Sequence, residues 1–180
     1  MNFDFFKNSQ RSGVELTVFA AVAIIIFILA VIKVLPMFGK VEKTYFENTL
    51  KNIRLVINIH AGTQLLKGQP DQLIDLVNGN PFSLVNQKHL PATYKGELNS
   101  PDYQKIDGYS WFFDKFDHTL VFVIENQDYF SSLGIKSSNI KFKLILKFAD
   151  KDKNGVFNKG LDTIQGLLLI PQDHIEWLEN

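Results

Sequence analysis

The chain has 180 residues, 46% of them hydrophobic, with 19 basic and 19 acidic side chains and a formal net charge of zero. It is long enough for one domain with a real core, and its balanced charge excludes the electrostatic footprint of a nucleic-acid binder. Cysteine is absent, which excludes a disulfide framework, a thiolate metal site and a cysteine nucleophile.

Residues 1–13 form a short polar head containing Lys7, Arg11 and Gly13. An unbroken apolar run, LTVFAAVAIIIFILAVI, follows from Leu16 to Ile32, with Glu15 at its mouth and Lys33 at its far end. A helix needs about 20 mostly apolar residues to cross a bilayer, and residues 14–36 supply them. Charges at the ends of such a span reach the interface by snorkelling. A cleaved secretory signal would carry a small-x-small site, whereas this run continues into VIKVLPMFGK. The sequence therefore predicts a retained anchor. Lys7 and Arg11 on one side, against Lys33, Lys40 and Lys43 on the other, do not set its orientation.

Beyond the run, Val41, Tyr45, Leu50, Ile53, Ile57 and Ala61 recur at steps averaging near the helical period, among polar residues such as Lys43, Glu47 and Asn58. That change predicts one helix from Val14 to Leu66, kinked at Pro36 and ended by Gly68 and Pro70. Asp71 is expected to cap a short helix through Val77. Asn78 to Pro81 break it, and irregular surface packing is expected to about Ser100. Residues 101–180 read as mainly β. Tyr109 to Phe113 and Leu120 to Ile124 form a hairpin, and Ile140 to Phe148 alternate apolar residues with Lys141, Lys143 and Lys147. Ile164 to Ile170 make a further strand, stopped by Pro171. The expected fold class is α+β, with the long helix packed on an antiparallel sheet of about four strands.

Among candidate sites, Asp150, Asp152, Asn154 and Gly155 match the opening half of a calcium loop, with oxygen ligands at every second residue and a glycine for the turn. The twelfth position is Leu161, so this is no EF-hand. Two readings stay open: a calcium site of Asp150, Asp152, Asn154, the Val156 carbonyl, Asn158 and Asp162, or a polar turn in which Asn154 and Gly155 take positive φ. His60, His89, His118 and His174 are dispersed and lack zinc-site spacing. Asp114, Asp117 and His118 lie in a hairpin turn without a nucleophile motif, so no enzyme is expected. The lysines of the 140–148 strand read as a solvated face, Trp111, Phe112, Phe113 and Phe122 as core, and Trp177 as docking the tail.

Arg11, Gly13, Glu15 and Pro36, in that order around an apolar helix, look like the start of type IV pilins and type II secretion pseudopilins. NPFSLV at Asn80, LPATYKGEL at Leu90, GYSWFFD at Gly108 and DKDKNGVFNKGLD at Asp150 extend the likeness. This order resembles the pilin-like proteins of mannose-sensitive haemagglutinin pilus systems. The resemblance implies cleavage after Gly13 by a prepilin peptidase, methylation of the new terminus at Val14, and packing of the apolar helix into a filament core. It implies as partners other pilin or pseudopilin subunits, an inner-membrane assembly platform and membrane lipid. Residues 1–13 would be a cytoplasmic leader, residues 14–36 a single inner-membrane span, and residues 37–180 a periplasmic domain whose helix runs over 37–67. In the family the glutamate is the fifth mature residue and pairs with a neighbour's terminal amine; here Glu15 would be the second. Two readings follow: a processed filament subunit, or an uncleaved, singly anchored accessory or sensor protein that never polymerises.

Overall fold

The computed structural model describes residues 4–173 and Ile175, with the backbone alone for residues 4–12 and Val14. His174 and Trp177, and the side chains of Lys7, Arg11 and Val14, lie outside the described residues. The chain divides into two compact units, Met1–Lys40 and Val41–Asn180, and helix α1 (Asp4–Leu66) supplies residues to both. It starts ten residues before the expected Val14 and includes Pro36 without a break.

In the first unit, every residue from Glu15 to Phe38 is exposed except Val31, which is half-buried. Phe19 and Phe27 are 74% and 69% exposed. The sequence is apolar all round there, so no face of the helix can be turned to a core.

In the second unit, one stripe of α1 is buried: Phe46, Leu50, Ile53, Ile57 and Ala61. Of the residues expected on that stripe, Val41 is 59% exposed and Tyr45 half-buried, and the neighbours Glu42 and Phe46 take their places. The stripe packs on a five-stranded sheet in the order β1-β2-β3-β4-β5. The strands are β1 (Tyr94–Leu98), β2 (Ser110–Asp114), β3 (Thr119–Val123), β4 (Asn139–Ala149) and β5 (Thr163–Pro171). The four expected strands are present and antiparallel, but β1 is additional and pairs parallel to β2, so the sheet is mixed. Tyr94 and Leu98 are the apolar side chains of that strand, on either side of Lys95, Gly96 and Glu97, and neither is fully buried. An irregular surface segment was the natural reading of so weak an alternation. The helix-on-sheet layering is the expected α+β arrangement.

The core is aromatic. Phe46 stacks on Trp111 at 5.5 Å between centroids and meets Phe122, Phe130 and Phe142. β2 and β3 are buried on both faces. Their far face, Phe112, Val121 and Val123, is covered by Leu98, Tyr103 and Ile106. A second short helix, α2 (Gln127–Ser132), sends Phe130 into the core.

Local structure departs from expectation in two places. Residues 70–76 form a 3-10 helix with Gln69 at its cap, and Asp71 instead pairs with Lys159 at 2.8 Å. In the acidic loop, Lys153 (φ 59°) and Gly155 (φ 77°) take the left-handed conformation, and Asn154 does not. Gly108 cannot carry a side chain, because a Cβ there would lie 2.8 Å from the Glu125 Cα.

Candidate functional site

Two features of the sequence point to chemistry: the apolar segment of α1 and the acidic loop after β4. The apolar segment contains the expected processing bond, Gly13–Val14, inside helical backbone, with the Gly13 carbonyl accepting from the Thr17 hydroxyl at 2.8 Å. Glu15 is exposed at the mouth of the run. Among the described residues, α1 is the helix long and apolar enough to cross a membrane.

The loop between β4 and β5 brings three of the candidate ligands together. One carboxylate oxygen each from Asp150, Asp152 and Asp162 lie within 4.8 Å of one another. Local backbone geometry holds them. Asp150 accepts from the Gly155 amide at 2.7 Å and the Asn154 amide at 3.3 Å, while Asp162 accepts from the Lys151 amide at 2.9 Å and the Asn158 amide at 2.7 Å. The side-chain amides of Asn154 and Asn158 both donate to Asp152 Oδ2, at 2.9 and 3.1 Å. Val156 enters through its amide, which donates to Asn154 Oδ1 at 2.7 Å. The Gly155 N–H, above all, holds the Asp150 carboxyl below its ordinary range.

An all-oxygen donor set suits a hard cation, and calcium, at about 2.3–2.6 Å from each ligand, tolerates oxygens up to about 5 Å apart. Millimolar calcium is therefore expected to raise the unfolding temperature of the full chain by a few degrees, and Asp152→Asn to remove the rise. An unshifted transition in the parent chain would assign the loop to its own hydrogen bonds. The depressed Asp150 pKa adds a pH dependence. Its stabilising effect is present above the ordinary carboxylate pKa and is lost as pH falls through the lower folded value. The protection factor of the Gly155 amide, its exchange rate relative to an unprotected amide at the same pH, should fall there and not near neutrality.

The remaining sequence candidates are dispersed. His60 lies 3.5 Å from Gln64 on α1, while His89 and His118 are exposed on separate segments. Asp114, Asp117 and His118 do not form a triad: Asp114 is 3% exposed and its Oδ1 accepts the Phe116 and Asp117 amides as a turn cap. Asp117 instead binds Lys141 at 2.8 Å, and the Lys141 ammonium lowers the Asp117 pKa. Lys141 also sits 4.8 Å from the Tyr103 ring centroid, so it is no solvated strand lysine.

Tyr103 donates to Asp114 Oδ2 at 2.6 Å, and burial together with that bond pushes its pKa up to about 12. The phenol is favoured in its neutral form by folding. The stabilisation is full below pH 10 and is lost as pH rises through about 12. Tyr103→Phe should cost about 1 kcal/mol at neutral pH and flatten the alkaline loss in a pH series of thermal melts. An unchanged alkaline limb would place the loss elsewhere.

Sequence reading passed over Glu42. It is 1% exposed and accepts from the amides of Glu125 and Asn126 at 2.8 Å and from Asn126 Nδ2 at 2.7 Å. Its signal was its phase, one turn before Phe46 on the buried stripe. A buried carboxylate is tolerated where hydrogen bonds replace water, and here they tie the start of the head's helix to the end of β3.

No protein-family model, no curated protein and no solved structure matches this chain.

Proposed function

We propose that this chain is a pilin-like structural or assembly subunit of a type IV pilus or type II secretion pseudopilus, anchored by one span of the inner membrane with its head in the periplasm. One observation carries the reading: an apolar stretch exposed on every side, Leu16 to Phe38, belongs to the same helix whose later turns build the head's core. Apolar surface in water costs about 25 cal/mol per Å², so the stretch requires a lipid or protein environment. Bilayer and bundled helices both satisfy a helix with no free backbone groups. Transfer between them is the proposed mechanism, with other pilin or pseudopilin subunits, the assembly platform and the prepilin peptidase as partners. The chain acts by packing and not by catalysis.

A second reading, an uncleaved accessory or sensor anchor, is favoured by the position of Glu15 and by the helical backbone at Gly13–Val14, which a peptidase would have to unwind. Fractionation of sheared surface filaments from native cells separates the two. The subunit reading predicts the chain in both membrane and filament fractions; confinement to the membrane would favour the accessory anchor.

A further inference from the structure

Helix α1 carries a second apolar stripe within the head, on the side opposite the core. Leu55, Ile59, Gly62 and Leu66 recur at steps of four, three and four. At about 100° per residue they span about 60° of the helix surface, centred about 190° from the buried stripe of Phe46, Leu50, Ile53, Ile57 and Ala61. Leu55, Ile59 and Leu66 are 57%, 61% and 92% exposed. A Cβ at Gly62 would meet nothing within 4 Å, so another backbone can approach closely there. A helix lying on one sheet needs one apolar stripe; alternation of three and four is the seam of a helix pair. The seam opens at Leu55 into a groove of about 500 Å³ between α1 and the 81–91 segment, lined also by Ile53, Val56, Phe82, Leu84 and Val85.

Charge selects the occupant. No carboxylate occurs from Asn48 to Gln69, and none lines the groove. Lys51 borders the stripe and Lys67 follows it. Lys88 lies between the groove residues Asn86 and His89. All three lysines are exposed, and none forms an ion pair among the described residues. Two copies joined through this face would set Lys51 and Lys67 against lysines in either orientation, which opposes pairing.

We infer that the Leu55–Leu66 seam is a docking site for an amphipathic helix of a different protein, one whose apolar stripe is flanked by acidic residues. Hydrophobic seating supplies affinity and the lysine rim supplies orientation and discrimination. The site belongs to the head alone and does not depend on whether the chain enters a filament.

The test uses the full chain in nanodiscs of zwitterionic lipid, with empty discs as reference, and two labelled helical peptides of about three heptads. Both carry leucine at the seam positions; one has glutamate and the other lysine at the flanks. Anisotropy titration is expected to give at least tenfold tighter binding of the glutamate peptide at low salt, with the ratio narrowing at high salt. Ile59→Asp, a change at an exposed position, should weaken that peptide at least tenfold with an unchanged melt. Lys51→Glu with Lys67→Glu should reverse the preference. Equal binding of both peptides, binding that ignores Ile59→Asp, or no binding of either would overturn the inference. Concentration-dependent dimers abolished by Ile59→Asp would also overturn it, by naming a second copy as the occupant.

Discussion

Replacing Phe46 by alanine is expected to destabilise the head by about 4 kcal/mol, the largest loss from any single truncation on the helix. Phe46 is fully buried and, among the described residues, touches aromatic rings from β2, β3, α2 and β4. Its removal leaves a ring-sized void that fused secondary structure on both sides cannot close, so the transfer and cavity costs add. Urea unfolding of the full chain in detergent, followed by tryptophan fluorescence, measures it. Ile59→Ala on the opposite face of the same helix is the control, and should cost little, because that side chain is 61% exposed. A loss below about 1.5 kcal/mol for Phe46→Ala would mean that α1 does not seat on the sheet as described.

Paired arginines at Ile25 and Ile28 should release the chain from the membrane. Each arginine near the centre of a spanning helix costs about 2.5–3.5 kcal/mol, while a buried leucine, isoleucine, phenylalanine or valine returns about 0.3–0.6 kcal/mol. Between Leu16 and Ile32 twelve such residues stand, so their total is of the same size as the penalty of two arginines. The double variant should move from the alkaline-carbonate pellet to the supernatant, and Phe27→Leu should not. Retention of the double variant in the pellet would place the anchor elsewhere.

The head part of the long helix and strand β4 were legible because burial on one face imposes a period, whereas β2 and β3, buried on both faces, were legible as short apolar runs on either side of a polar turn. β4 alternates Ile140, Phe142 and Leu144 with Lys141 and Lys143, and the burial follows that alternation. The parallel strand β1 carried too little apolar alternation around Gly96 to be read, and its partner lies across a loop, so nothing local specified the pairing. Leu98 at the end of β1, with Tyr103 and Ile106 of the following loop, covers the far face of β2 and β3, a tertiary contact that no local pattern announces. The acidic loop was legible as a ligand pattern, since alternate acids with a glycine constrain the backbone to turn. Which residues took positive φ was not, because lysine at 153 was the less natural choice than asparagine at 154. Glu42 and the Leu55 to Leu66 seam escaped for a shared reason. A single apolar stripe was sought on α1, and both features concern which side of the helix each residue faces rather than how many are apolar.

The central claim is that the N-terminal helix serves first as a membrane span and then as an assembly element. The mass of the N-terminal peptide from protein purified out of its native membrane tests it most directly. A processed subunit predicts a terminus at Val14, with or without a methyl group, and loss of residues 1–13. An intact Met1 terminus throughout the population would contradict filament entry and leave the permanent anchor as the function of α1.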